Sequence, residues 1–439
     1  MSPELTPKQA INEIIHWTLT YYDDGQGGLP RSVKQDGTGR KARLFNDLGD
    51  YLPFFAYLKQ KDFCLKQLKD TENILTKESL LPAEFTYFGM PCTRSYEHTD
   101  LLLGLADTYS FFPSDPLKSL IQRVSTSVIQ TYHPEKKSPS SWYFPTTGFR
   151  LPIFDFKDGM FIEIWTSLAR TFDEPRYLRI AERLAFNLMQ MTPKNFFPLV
   201  PNLTGTNIFG RAIVETRLRS ARTKYTPMKY FSNTAYAFLE LYKATGKEEY
   251  RAHLVQMKDA IIRYALDSKN RIVEFSTSNG MAIHTEHAQL VQNFPVMDWA
   301  ADCYYFLHDK EFLNLAEKIA LSWMELQDEN TGLIPQSTDC TDTDLDNLTD
   351  TFIAFSKISE LSNDPKYLNA AKRIMTGILT YHRKPDLKGY VLMVNTYTGE
   401  TTCPELKIKF ITLFLKALIV LDEQRPIYNT ELYELTKDR

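Results

Sequence analysis

Two distant stretches, Phe172–Gln190 (FDEPRYLRIAERLAFNLMQ) and Ser362–His382 (SNDPKYLNAAKRIMTGILTYH), read as one phrase written twice. A polar turn leads to an aromatic residue, and apolar residues then recur at the three-to-four spacing of an amphipathic helix. Four further copies stand at Lys59–Leu75, Phe112–His133, Thr245–Tyr264 and His308–Gln327. With Phe63, Leu117, Tyr177, Tyr250, Phe312 and Tyr367 as markers, the steps are 54, 60, 73, 62 and 55 residues. Each step holds two helices and a loop, so the repeating unit is a helical hairpin.

The segment before each marker is the more apolar partner, as in DGMFIEIWTSLARTF (Asp158–Phe172) and LTDTFIAFSKISEL (Leu348–Leu361). A helix apolar nearly all round belongs inside, and its successor, with Lys, Arg and Glu on one face, belongs outside. Two helices are left over, near residues 6–22 and 406–423. If the C-terminal one lies inside and the N-terminal one outside beside it, the ends complete a further hairpin. The expected fold is all-α, a closed (α/α)6 or (α/α)7 barrel, or toroid, with residues 1–439 as one domain and no exposed repeat edge.

Composition narrows the function classes. The 51 Lys and Arg against 54 Asp and Glu leave a net charge of -3, so no basic excess points to nucleic acid. Hydrophobic content of 43% supports a large core, and only 18 glycines argue against a turn-rich β chain. No apolar run reaches the roughly 18 residues of a membrane span, and the start (MSPELTPKQAINEI) lacks a secretory pattern, so a cytoplasmic protein without membrane contact is expected. Five cysteines without a C-x-x-C spacing suggest free thiols rather than a disulfide framework.

In its hairpin period and its turn phrases DEPRYLRIAERL and NDPKYLNAAKRI, the chain resembles the α/α-toroid superfamily over nearly its whole length. That group includes six-hairpin glycoside hydrolases, polysaccharide lyases, sugar epimerases, and lanthionine and terpene cyclases. The resemblance implies a ligand site at the mouth formed by the N-terminal ends of the inner helices. The adjacent Cys-His pair of the zinc-binding lanthionine cyclases is absent here.

Carboxylates collect at that end. Asp47 and Asp50, Glu97 and Asp100, Asp155, Asp158 and Glu163, Asp298, and Asp346 and Asp350 all lead into inner helices. Capping of free backbone N–H groups accounts for acids at such positions. It does not account for their register, since Asp50, Glu163 and Asp298 precede their markers by 13 or 14 residues, and Asp100 and Asp350 by 17. Carboxylates crowded in a partly apolar cavity raise one another's pKa, and cleavage of a glycosidic bond needs one protonated and one ionised group. The catalytic candidates are Asp100 and Asp350, followed by Glu163 and Asp298.

Sugar rings stack on aromatic side chains and offer hydroxyls to polar groups. Candidates for substrate binding are Asp50, His98, Trp142, Arg150, Tyr236, His284, His287 and Trp299, with Arg211 and Arg217 from the basic segment 193–229. That segment carries seven basic residues against one acid, which fits an anion clamp for a uronate or sugar phosphate. His284 and His287 could act as acid or base. Their spacing alone is a weak metal signature, and the alternating Asp342, Asp344 and Asp346 depart from a calcium loop at Asn347 and Ile353. No metal or other cofactor is therefore expected, and the phosphate-cradling and nucleophile-elbow motifs are absent. The expected partner is a small-molecule or oligosaccharide substrate. The function expected is glycoside hydrolysis, with epimerisation or β-elimination on the same fold, or glycan or peptide binding without catalysis, as alternatives.

Overall fold

A computed structural model describes residues 5–25, 27–33, 43–82, 85–87, 90–93, 97–132, 142–151, 158–191, 228, 232–278 and 281–428. In chain order the α-helices are α1 (Pro7–Trp17), α2 (Leu52–Tyr57), α3 (Lys61–Ile74), α4 (Glu97–Phe111) and α5 (Asp115–Gln130). There follow α6 (Asp158–Phe172), α7 (Pro175–Met191), α8 (Ser232–Thr245), α9 (Glu248–Ala260) and α10 (Leu290–Leu307). The series ends with α11 (Lys310–Met324), α12 (Leu345–Ser362), α13 (Pro365–Gly377) and α14 (Ile408–Glu423). Among the described residues no helix is long and apolar enough to cross a membrane, and no disulfide joins the cysteines.

The recurring turn has a conformational cause. The residue four places before five of the six markers takes a left-handed φ: Lys59 (60°), Asp173 (53°), Gly246 (64°), His308 (56°) and Asn363 (53°). A left-handed residue just past a helix end lets its N–H reach back to an unpaired carbonyl, and it reverses the chain. His308 N–H donates in this way to Tyr304 O at 2.8 Å, as does Gly246 N–H to Tyr242 O at 2.8 Å. The next helix then starts on a cap: the Asp309 carboxylate accepts from Glu311 N–H and that of Asp364 from Lys366 N–H, both at 3.0 Å. In the sixth copy the corresponding residue is Pro113, whose ring holds φ negative, so this copy turns by another route.

Contacts divide the chain into two compact units. The first comprises Met1–Thr71, Asp267–Ile272 and Glu286–Arg439, and the second comprises Glu72–Leu266 and Val273–Thr285. In the first, α10 pairs with α11 and α12 with α13, while α12 packs between α10 and α14. Helix α1 packs against α14, so the two ends of the chain supply one hairpin, as the apolar C-terminal and amphipathic N-terminal segments predict. In the second, α4 pairs with α5, α6 with α7, and α8 with α9, and α6 lies between α4 and α8.

Burial follows the inner and outer assignment. Helix α12 encloses Leu345, Leu348, Phe352, Ile353, Phe355 and Ile358, around most of its circumference. Its partner α13 buries only a stripe, Tyr367, Ala370, Ala371, Ile374 and Met375. Short strands fill the connections. In the first unit, Met393–Asn395 is flanked antiparallel by Asp342–Asp344 and Thr401–Cys403.

One turn in this unit is sterically exacting. Gly332 has φ 73°, and a Cβ there would lie 2.4 Å from the Arg373 carbonyl oxygen. Gly332→Ala is expected to cost roughly 2–5 kcal/mol, from left-handed strain plus overpacking. Urea unfolding checks this; a loss below about 1 kcal/mol would mean that α13 yields easily.

Candidate active site

The acidic run Asp339–Asp350 changes period as it folds. Asp342–Asp344 is extended, so its alternate residues share a face, and α12 then starts at Leu345 and places Asp346 and Asp350 one turn apart on one face. The calcium-like alternation is thus a strand running into a helix cap. Asp344 is the cap: its carboxylate accepts from Asn347 N–H at 2.8 Å and from the Asn347 side-chain amide at 2.7 Å. That leaves Asp346 and Asp350 available for other work.

A pocket of about 530 Å³ opens here, within the range of small-ligand sites. Its polar wall includes Gln289, Gln336, Asp344, Asp346, Asn347 and Lys407, and its apolar wall Val291, Leu392, Met393 and Phe410. The Lys407 ammonium lies 5.0 Å from the Phe410 ring centroid. Amides, carboxyls and a cation facing an aromatic ring match the two-sided chemistry of a sugar, apolar on its ring face and hydroxylated at its edge.

Burial raises the carboxyls of Asp344, Asp346 and Asp350 together, opposed at Asp344 by the cap hydrogen bond from Asn347 N–H. Burial pushes the Asp350 carboxyl up to about 7, against the pull of Lys416, with Asp298, Asp50 and Asp344 adding to the rise. Asp346 is raised well above the ordinary carboxylate range by burial and by the charges of Asp350 and Asp344. Both keep partial access to solvent. Other carboxylates of this unit are ion-paired: Lys409 lies 2.7 Å from Asp50 and 3.1 Å from Asp47, and Lys357 lies 2.8 Å from Asp298. The unit thus juxtaposes a carboxyl that holds its proton near neutrality with cation-paired carboxylates, which is the division that acid/base chemistry requires.

The structure therefore brings Asp50, Asp298 and Asp350 into one electrostatic cluster. Asp100 and Glu163 belong to the second unit. There Glu163 is raised well above its ordinary range by burial and by Glu240, Asp100 and Asp107, against Lys243. Glu240 is itself bound by Lys243 at 2.9 Å.

The expected binding residues fall in several places. His287 is exposed in the first unit, with Nε2 3.7 Å from Asp339, a residue of the pocket wall. Trp299 is fully enclosed, edge-on to Phe312 at 5.4 Å, which leaves no face for a sugar ring. In the second unit His98 is fully buried and accepts Leu81 N–H at 2.8 Å, and Tyr236 is buried on α8. His284 Nε2 donates to Tyr264 O at 2.9 Å. Arg150 donates from Nε and Nη2 to Gln130 O and lies 5.3 Å from the Tyr143 ring centroid. Trp142 opens the strand Trp142–Phe144, and its side chain lies outside the described residues, as do Arg211 and Arg217.

Comparison with known proteins rests on structure alone, since no family model and no curated protein matches this sequence. An alpha-1,2-mannosidase from Trichoderma reesei superposes with a TM-score of 0.69 at 12% identity, over 94% of this chain and 92% of that one. Cellobiose 2-epimerase from Bacillus thermoamylovorans gives 0.57 at 12% identity, over 95% and 99%. An unsaturated glucuronyl hydrolase specific for heparin gives 0.52 at 13% identity, over 96% and 97%. The fold is that of the α/α toroids. At such identities the likeness establishes the toroid architecture and says nothing of the reaction.

Several pocket residues of this toroid escaped the sequence reading. Gln289 and Gln336 lie on segments that look like ordinary connections, and Lys407 stands at the start of the segment expected as the C-terminal helix, where a lysine gives no sign of a pocket. Lys357 did leave a signal, a single cation inside the apolar run TFIAFSKISEL, where a charge persists only if something pairs with it.

Proposed function

We propose that this α/α toroid is a carbohydrate-active enzyme, a glycoside hydrolase of oligosaccharides, with Asp350 as general acid and Asp298 as the ionised partner. The observation that carries the reading is the Asp350 carboxyl, raised to about 7 one helical turn from the pocket residue Asp346. Such a group holds a proton below neutral pH and can deliver it to a leaving glycosidic oxygen. The carboxylate of Asp298, 2.8 Å from Lys357, supplies the base or nucleophile. The amides of Gln289, Gln336 and Asn347 fit sugar hydroxyls, and Phe410 fits a ring face. Asp100 and Glu163 remain candidates through the second carboxylate cluster. An acidic sugar unit is supported by the basic composition of segment 193–229.

A second reading, epimerisation or β-elimination at a sugar, draws on His287 beside the pocket residue Asp339. A screen of neutral and acidic oligosaccharides, followed by product analysis, separates the two. Hydrolysis yields new reducing ends, elimination yields an ultraviolet-absorbing unsaturated sugar, and epimerisation leaves the mass unchanged. Binding without any product would return the toroid to a glycan-binding role.

A further inference from the structure

Lys357 sits inside the packing of α10 against α12 with 1% of its side chain exposed. Its ammonium hydrogen-bonds to both oxygens of Asp302 at 2.8 and 2.9 Å and lies 2.8 Å from Asp298 Oδ1. Asp298 and Asp302 are one turn apart on α10, so a single cation from α12 bridges two carboxylates of the neighbouring helix. The two acids differ in surroundings. Asp302 has no exposed side-chain surface, whereas Asp298 retains 22%. The aromatic ring of Tyr428 lies over the ammonium at 5.8 Å, itself stacked on Tyr305 at 4.0 Å with its hydroxyl donating to Glu360 at 2.9 Å.

Hydrophobic residues of the same volume generally hold two helices together at least as well as a buried ion triad. An interior lysine with two acids, one sealed and one open, therefore points beyond packing. We propose that Lys357 is the positioning residue of this site: anchored by Asp302, it keeps Asp298 in its carboxylate form and fixes its orientation within the cluster that contains Asp350. This rests on the reading of Asp298 and Asp350 as the catalytic pair. The groups that bear on the pair are Asp298 and Asp302 from α10, Asp346, Asp350, Lys357 and Glu360 from α12, Lys409 and Lys416 from α14, and Asp50, Asp344 and Tyr428. Lys357 Nζ lies at hydrogen-bonding distance from Asp298, so its loss removes a direct support of that charge.

The test uses two variants of the full chain. Lys357→Met alone leaves two carboxylates facing each other in the core and is expected to fold poorly. Lys357→Met combined with Asp302→Asn removes one cation and one anion together and keeps the packing volume. For the folded double variant, the acidic limb of kcat/KM on the glycan found by screening is expected to move up by about 1 pH unit, the loss of the ammonium 2.8 Å from Asp298 being partly offset by loss of the Asp302 charge. On the acidic limb kcat should fall by up to about tenfold per unit of that shift, with KM within about threefold, the split of an interaction made in the transition state. Lys357→Arg, which keeps the charge, should restore the wild-type limb. A double variant with the wild-type limb and kcat would overturn the proposal.

Carboxyl carbon-13 titration of Asp298, assigned by difference from Asp298→Asn, reads the same property without turnover. An upward shift of its midpoint in the double variant supports the charge-holding role, and an unchanged midpoint overturns it. If wild-type protein converts no glycan while the midpoint shifts, the hydrolase reading fails and the Lys357 assignment stands on the titration.

Discussion

Asp350→Asn is expected to lower kcat roughly a hundred- to ten-thousandfold, the usual contribution of a general acid, while leaving the protein at least as stable as before. Asn has nearly the shape of Asp, so α12 keeps its packing, but it has no proton to give to a leaving oxygen. Stability follows from linkage. The folded carboxyl titrates at about 7, whereas the unfolded one titrates near 4, so between those values the folded state holds a proton that the unfolded state has lost. Wild-type stability should therefore fall as pH rises through that window and level off above about 7. The Asn variant lacks this loss and should be favoured at pH 8 relative to pH 5, as urea unfolding at the two values would measure. Retained turnover in a well-folded Asp350→Asn protein would falsify the assignment and shift attention to Asp346 or to the Glu163 cluster. The same ionisation should set the alkaline limb of the wild-type pH–rate profile, because above about 7 the acid is spent.

Trp165→Ala is the substitution expected to cost most in stability, about 3–5 kcal/mol, typical of truncating a large buried aromatic. Trp165 has no exposed surface on α6. It lies nearly parallel to Tyr177 of α7, at 5.7 Å and 3°, and parallel to Phe161 at 6.1 Å and 15°. Its indole N–H donates to the Tyr132 hydroxyl at 2.6 Å, so truncation both opens a cavity and leaves that hydroxyl without its donor. Trp165→Phe keeps much of the apolar volume and should lose distinctly less. Equilibrium unfolding in urea gives the two numbers. A loss near 1 kcal/mol for the Ala variant would mean that α6 and α7 close around the gap.

The hairpin turns show why so much of the architecture was legible. A left-handed residue, a cap such as Asp309 or Asp364, and an aromatic marker lie within five consecutive residues, and each acts on its immediate neighbours. The inner and outer assignment is equally local, because helical periodicity displays the buried face of α12 or α13 in the chain itself. The pairing of α1 with α14 was also foreseen, since each terminal segment lacked the partner that every other helix has next to it.

The site was legible in residue type and only partly in role. Acids at helix starts were plain to see, but Asp344 caps α12, its cap hydrogen bond opposing the rise that burial gives it, while Asp350, six residues later, has its carboxyl raised to about 7. That difference depends on which side chains surround each group, and those come from Asp50, Asp298 and Lys416, far apart along the chain. The fate of Trp299 makes the same point, for its neighbour Asp298 faces Lys357 with part of its surface open while the indole is sealed against Phe312. By itself the sequence determined the helical hairpins, their order, their buried faces and the stock of carboxylates, because short-range periodicity and turn stereochemistry encode these. Tertiary structure alone decided which carboxylates are desolvated, which are paired with a lysine and which of them also caps a helix. Charge energies depend on distance and burial in space, and neither is set by spacing along the chain.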